Sequence, residues 1–187
     1  MRGVLGATLT AVALVLPLPA LACYQLSENI WMCAKGTAWE TAEWDPYGDG
    51  AGLILDDLVL SFTEDYPGAE IRDDLTTLEE QYVTYAELIE ADGITPVEIS
   101  EQRAFDIAAG KAFRSLQRDQ HEERTTTSAV MLAEVDLTRI MLWLDGPQEM
   151  SWEAIDAASA EVLETLRAIC EDPEECAAPD TERVESE

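Results

Sequence analysis

The 187-residue chain is long enough for one domain around a single buried core. It carries 39 Asp and Glu residues against 11 Lys and Arg, which gives a formal net charge of -28 at pH 7. A field of that sign repels nucleic acid and anionic membrane surfaces, so the composition excludes a nucleic-acid-binding role.

The first 22 residues have the composition of a secretory signal peptide. Arg2 supplies the positive charge, an apolar stretch interrupted by two prolines follows, and Ala20 and Ala22 occupy the small-residue positions before a cleavage site. We therefore expect cleavage after Ala22. The mature protein would then begin at Cys23, be periplasmic or secreted, and have no transmembrane segment.

Four cysteines fall into two close pairs, Cys23 with Cys33 and Cys170 with Cys176. An even number in an exported chain predicts two disulfides, although other pairings remain open. Cleavage before Cys23 also resembles the maturation of a bacterial lipoprotein. However, Ala20 stands where that signal has leucine, and acylation would leave Cys33 without its neighbour. We therefore expect a disulfide and not a lipid anchor at Cys23.

The segment between the first two cysteines is too short for an element of its own, so residues 23–35 are predicted to be a stapled loop. A single domain should follow over residues 36–170. Its first element, "TAWETAEW", alternates like a strand with Trp39 and Trp44 on opposite sides. Next, "GLILDDLVLSF" over residues 52–62 resembles a strand with a bulge at its two aspartates, Asp56 and Asp57.

The clearest helix is "DDLTTLEEQYVTYAELIEADG", in which Leu and Tyr recur at helical spacing. A capping box of either Thr76 with Glu79 or Thr77 with Glu80 should begin it, and Gly93 should end it.

Two strands meeting near Gly110 are predicted next, because Phe105 and Ile107 alternate with polar neighbours. A helix over residues 100–109 is the alternative. Pro96 excludes the beginning of this segment from a central strand position.

The charged "RDQHEERTTT" indicates a long loop or a hairpin tip, and "SAVMLAEVDLTRIMLWLDG" indicates two strands around Asp136, ended by Pro147. A second helix, capped by Ser151, should follow. The acidic residues 171–187 should be disordered. The second helix has one apolar stripe, formed by Ile155, Ala158, Val162, Leu166 and Ile169.

This order of elements predicts an α+β fold, with helices packed on a mostly antiparallel sheet. The run "FDIAAGKAFR", a threonine-rich strand, "TRIMLWL" and the closing helix "AEVLETLR" resemble the second half of the PsbP-like α/β/α sandwich of small exported bacterial proteins of the DcrB type. The resemblance covers residues 36–170. It implies a sheet between helices and an accessory or binding role, and it supplies no catalytic residue.

The stretch "WDPYGDGAGLILDD" begins like a calcium loop. Asp45, Asp49 and Asp56 fit the first, fifth and twelfth places of an EF-hand loop, but Tyr47 occupies the third. Its proline and glycines favour a turn, which is our interpretation. An acidic calcium-binding protein remains an alternative.

Catalytic constellations are difficult to find in this sequence. His121 is the only histidine and lies in a polar segment, and no Gly-x-Ser-x-Gly motif or phosphate-binding loop is present. We therefore expect no cofactor. With 39 acidic residues some close carboxylate pair is inevitable, so a carboxylate-dependent hydrolase is the second hypothesis. A pocket with two acidic groups of raised pKa would identify it.

Arginines are concentrated in the second half of the domain. Arg114 and Arg118, an even number of residues apart, should face the same way on a strand, and with Arg139 they suggest an anion or partner site. Simple ion pairing with nearby carboxylates is the alternative. Our leading hypothesis is an exported, non-enzymatic domain that binds a partner or ligand in the cell envelope.

Overall fold

The computed structural model describes residues 23–45, 51–63 and 77–168. The predicted signal peptide, the Cys170–Cys176 pair and the acidic tail lie outside these residues. Within them the chain forms two antiparallel sheets and two α-helices. The predicted α+β class with a mostly antiparallel sheet is confirmed at this level. Neither of the two described helices is long and apolar enough to cross a membrane.

The described residues form ten strands and two α-helices in chain order. They are β1 (Cys23–Gln25), β2 (Ile30–Cys33), β3 (Glu43–Trp44), β4 (Ala51–Leu55), β5 (Leu58–Thr63), α1 (Leu78–Ala91), β6 (Ile94–Ile107), β7 (Gly110–His121), β8 (Arg124–Val135), β9 (Thr138–Pro147), α2 (Trp152–Thr165) and β10 (Leu166–Ala168). The larger sheet has the order β3-β4-β5-β9-β8-β7-β6, and the smaller has the order β1-β2-β10.

The two helices cover opposite faces of the larger sheet. Successive side chains of a strand point to opposite faces, and β7 and β8 are apolar on both. On one face, here called the α1 face, Phe113 and Val130 pack with α1. On the other, the α2 face, Ala112, Leu116 and Ala129 pack with α2 and the smaller sheet. The centre of the sheet is therefore buried on both sides.

Helix α1 begins and ends where its sequence predicts. Of the two candidate capping boxes, the structure contains Thr77 with Glu80: the Glu80 amide donates to Thr77 Oγ1 at 3.2 Å, and the Thr77 amide donates to Glu80 Oε2 at 2.9 Å. At the other end, Gly93 adopts a φ of 89°, which glycine reaches without steric cost.

The strands β6 to β9 form a meander with tight turns, as predicted. At the β6–β7 turn, Gly110 is required because a Cβ atom there would lie 2.1 Å from the carbonyl oxygen of Glu134. Asp136 forms the β8–β9 turn with Leu137. The charged segment around His121 is a hairpin tip and not a long loop, since β7 continues to that residue and β8 begins at Arg124.

Two predictions for the first half of the chain are wrong. The segment predicted as one strand through Trp39 and Trp44 is a 3₁₀ turn over Ala38–Thr41 followed by the short β3. The turn inserts the fully buried Trp39 into the core on the α2 face. Asp56 and Asp57 do not form a bulge. They are the turn of the β4–β5 hairpin, where Asp56 has a φ of 52°, a conformation that aspartate tolerates better than most residues.

The N-terminal segment is a β-hairpin and not the predicted loop. Cys23 and Cys33 face each other directly across β1 and β2 and form the predicted disulfide. Ile30 and Met32 are fully buried and pack in the core on the α2 face. The segment is therefore part of the main domain.

Helix α2 is shorter than the predicted stripe. Ser151 caps it as predicted, because its Oγ accepts a hydrogen bond from the Ala154 amide at 3.2 Å. The helix ends at Thr165, and Leu166 is extended and pairs with Met32 of β2. The backbone groups of Leu166 pair with β2, and a further turn of helix would leave that edge of β2 unpaired. Ile169 lies outside the described residues.

Candidate functional site

Two of the proposed calcium ligands, Asp45 and Asp56, do not lie together. The Asp45 amide donates to the Gly52 carbonyl at 3.0 Å, which places Asp45 beside the beginning of β4. Asp56 lies beyond the other end of β4, about 13 Å farther along at the usual rise per strand residue. Asp49 lies outside the described residues. Among the side chains that the structure describes, no group of three His, Cys, Asp or Glu residues is placed to hold a metal ion.

We expect a calorimetric titration with calcium at physiological ionic strength to show no saturable site, because Asp45 and Asp56 cannot bind one ion together. Sub-millimolar binding that Asp49→Ala abolishes would contradict this prediction. The matched control is Asp57→Ala, which removes an equal charge from the exposed β4–β5 turn.

Arg114 and Arg118 lie on the same face, as their spacing predicts. Each of them already forms an ion pair with a carboxylate of this chain. Arg114 is 1% exposed. It donates to Ser159 Oγ at 2.8 Å and to the Asp156 carbonyl at 3.2 Å, and it also contacts the Asp156 carboxylate. Arg118 pairs with Glu98 at 2.5 Å and stacks 4.8 Å from the ring of Trp152.

The third arginine of the predicted anion site lies elsewhere. Arg139 pairs with Glu134 at 2.7 Å and also donates to Gln81 of α1, so it belongs to the α1 face. The structure therefore does not bring it together with Arg114 and Arg118. All three arginines form ion pairs with carboxylates, which was the alternative to an anion site. His121 is exposed at the end of β7.

A row of polar side chains, most of them buried, crosses the α1 face, and the sequence interpretation missed it. We call it the polar row. Gln102 Nε2 donates to Ser115 Oγ at 3.2 Å, and Ser115 Oγ donates to Gln117 Oε1 at 2.7 Å. Gln117 Oε1 also accepts from the Tyr82 hydroxyl of α1 at 3.2 Å. At its other end, Gln117 Nε2 donates to Asp119 Oδ1 at 2.7 Å.

The polar row ends in two aspartates on either side of Ser128. Ser128 Oγ donates to Asp145 Oδ1 at 2.7 Å and lies 3.0 Å from Thr126 Oγ1. Burial raises the pKa of Asp119, and the charge of Asp145 raises it further, whereas hydrogen bonds from Gln117 and Ser128 lower it. Burial likewise raises the pKa of Asp145, against the opposing hydrogen bond of Ser128. Burial therefore favours the neutral form of both carboxyl groups, of which Asp145 accepts from Ser128 and Asp119 accepts from Gln117.

An apolar groove of about 180 Å³ adjoins the polar row, between α1 and the edge strand β6. Val83 and Ile99, which are 52% and 50% exposed, lie at its opening. Glu87 and Glu90 line its α1 side. Its remaining lining residues are Tyr82, Ala86, Ile89, Ile94, Pro96, Gln102, Gln117 and Val130.

Comparison of the chain with protein-family models and with curated proteins gives no match. The functional conclusion therefore comes from the residues and their geometry.

Proposed function

We propose that this protein is an exported, non-enzymatic domain that binds an extended segment of an envelope protein in the groove between α1 and β6. The observation that carries the proposal is the open edge of the larger sheet beside an exposed apolar groove. Export is supported by the signal-peptide composition of residues 1–22 and by the disulfide between Cys23 and Cys33.

Strand β6 has the features of an edge that accepts another strand. Within the described residues it pairs with β7 alone, and most of its side chains are exposed. Unpaired backbone groups along such an edge bind an added strand by main-chain hydrogen bonds. Pro96 and irregular pairing around Glu98 and Glu101 interrupt the edge. Such interruptions limit indiscriminate pairing.

The groove also defines the chemistry of the partner. Alternate side chains of an added strand would point to the α1 face, where the groove offers apolar contacts. Glu87, Glu90 and the net charge of -28 favour basic residues between them. A second copy of this chain carries the same negative charge and is disfavoured. The fitting partner is therefore an extended segment that alternates apolar and basic residues.

The layer arrangement supports an accessory role. The resemblance to PsbP-like domains implies a sheet between helices and an accessory or binding role, and it supplies no catalytic residue. We include that resemblance in the proposal.

A carboxylate-dependent hydrolase is the second candidate, and the raised pKa values of Asp119 and Asp145 favour it. Paired-carboxylate hydrolysis requires room for the scissile bond and a water molecule between the two groups. Here Ser128 Oγ donates to Asp145 and Gln117 Nε2 donates to Asp119, so side chains of the fold already occupy both carboxyl groups. The polar row therefore supports binding or regulation better than hydrolysis.

The proposal predicts that Val83→Asp weakens binding of a fluorescent peptide of alternating valine and lysine about tenfold, a loss of about 1.4 kcal/mol. The reason is the lost apolar contact at the opening of the groove. The matched control is Leu137→Asp, the same change of charge at a residue that is 91% exposed and does not line the groove.

Fluorescence anisotropy measures both affinities, and backbone amide shifts of β6 locate the peptide. Since both variants add one negative charge, a general attraction of the peptide to the acidic protein would affect them equally. Equal affinities for the two variants, or unchanged β6 amide signals, would contradict the proposal.

A further inference from the structure

We infer that the groove between α1 and β6 recognises a serine or threonine side chain of its partner, whose hydroxyl group donates a hydrogen bond to the amide oxygen of Gln102. The inference rests on the proposed function, because it names one side chain of the segment that would bind there. It concerns the position at which the β6 side of the groove is polar.

Gln102 is the polar residue that β6 contributes to the groove. The other lining residues from β6 are Ile94, Pro96 and Ile99, which are apolar. Gln102 lies opposite Ser115 of β7 and donates to its hydroxyl, so the Gln102 side chain points to the α1 face. Gln102 is also exposed. A strand added beside β6 would therefore place one of its own side chains next to this amide.

The hydrogen bonds of the polar row determine which end of the Gln102 amide faces the groove. The Gln117 nitrogen donates to Asp119 at 2.7 Å, and the Gln117 oxygen accepts from Ser115 Oγ at 2.7 Å. A serine hydroxyl has one hydrogen, and Ser115 gives it to Gln117. Ser115 Oγ is therefore an acceptor for Gln102, which presents its nitrogen to Ser115 at 3.2 Å.

The amide oxygen of Gln102 is left for a ligand. An amide group has its nitrogen and its oxygen on opposite sides, so an amide whose nitrogen is held by Ser115 turns its oxygen away from the polar row. Within the described residues, no side chain or backbone group donates a hydrogen bond to that oxygen. A bound segment that covers the oxygen displaces its water. The segment must then supply a donor, because an unsatisfied carbonyl group weakens binding.

A hydroxyl group is the donor that fits these surroundings. Threonine has nearly the shape of valine, adds one O–H donor and is favoured in strands, so it can replace one apolar residue of the alternating segment. Serine supplies the same donor. A lysine ammonium group would lose far more hydration beside the apolar lining of β6.

Three peptides of alternating valine and lysine test the inference with the full chain. Their central valine position carries valine, threonine or O-methylthreonine, which keeps the oxygen but has no hydrogen to donate. In fluorescence anisotropy, we expect the threonine peptide to bind about fivefold more tightly than either of the others, the effect of one hydrogen bond.

The outcomes separate this inference from the proposed function. If all three peptides bind with equal affinity, or if O-methylthreonine binds as tightly as threonine, the inference is overturned and the proposed function stands. If none of the three binds, the proposed function is contradicted, and the inference falls with it.

Gln102→Met removes the acceptor and keeps the length of the side chain, so the preference for threonine should disappear. Gln120→Met is the matched control, because Gln120 is an exposed glutamine of β7 that does not line the groove. It should keep the preference. A preference for threonine that survives Gln102→Met would overturn the inference.

Ser115→Ala tests whether the polar row positions the Gln102 amide. Without the Ser115 acceptor, the side-chain amide signals of Gln102 in an NMR spectrum should shift, those of Gln120 should stay in place, and the preference for threonine should fall. A loss of stability alone would weaken all three peptides equally. Unchanged Gln102 amide signals would overturn the inference whether or not a peptide binds. Gln102→Met, at an exposed position, decides the question if Ser115→Ala does not fold.

Discussion

Replacing Leu166 with alanine should lower the free energy of unfolding by about 2 to 5 kcal/mol. Leu166 is fully buried in β10, where it pairs with Met32 and packs in the core on the α2 face. The substitution removes apolar atoms from a filled space and leaves a cavity that strands on both sides prevent from closing. The loss should therefore exceed the transfer free energy of the missing atoms alone.

Urea unfolding of the monomer measures this loss, and Leu137→Ala is the matched control. Leu137 is almost fully exposed in the β8–β9 turn, so the same substitution there should change stability by no more than about 0.5 kcal/mol. If the two variants unfold alike, Leu166 is outside the core and its face is free to bind another protein.

Arg114→Ala should cost about 2 to 4 kcal/mol, because a buried guanidinium group joins three elements of the fold. Its hydrogen bonds link β7 to Asp156 and Ser159 of α2 and to Glu101 of β6. Removal takes away the guanidinium donor to the buried Ser159 Oγ, whose hydroxyl still donates to the Asp156 carbonyl at 3.0 Å, and it opens a space under α2. Glu101 and Asp156 are partly exposed and regain water, which keeps the loss below that of a fully buried ion pair.

Arg103→Ala is an unusually close control for Arg114→Ala. Arg103 contacts the same Glu101 at 3.2 Å. It also lies 5.3 Å from the Phe105 ring, as Arg114 does at 5.4 Å, but its side chain is 53% exposed. Exposed ion pairs contribute about 0 to 1 kcal/mol. Thermal or urea unfolding should therefore separate the two variants clearly. Similar losses would show that burial of Arg114 contributes nothing.

The parts of the fold that local chemistry determines could be predicted from the sequence. The capping box at Thr77, the turns at Gly110 and Asp136 and the cap at Ser151 each depend on residues a few positions apart. The end of α2 could not be predicted, because Leu166 leaves the helix to pair with a strand near the other end of the chain. Helical periodicity contains no information about that partner.

The polar row could not be predicted for a related reason. Ser115, Gln117 and Asp119 alternate with other residues along β7, a pattern that is typical of a solvent-facing side. Packing of α1 on that side buries them. Choosing Asp119 and Asp145 among 39 acidic residues also requires the strand order, which places β8 between β7 and β9.

The smaller sheet determines when folding can finish. Strand β2 near the beginning of the described chain pairs with β10 at its end, so the core on the α2 face stays open until the last strand is available. Contacts so distant in sequence form late and slow the folding rate, whereas the β6–β9 meander can form from neighbouring strands. We therefore expect a growing polypeptide to remain without its complete core until nearly all of this sequence has been synthesised.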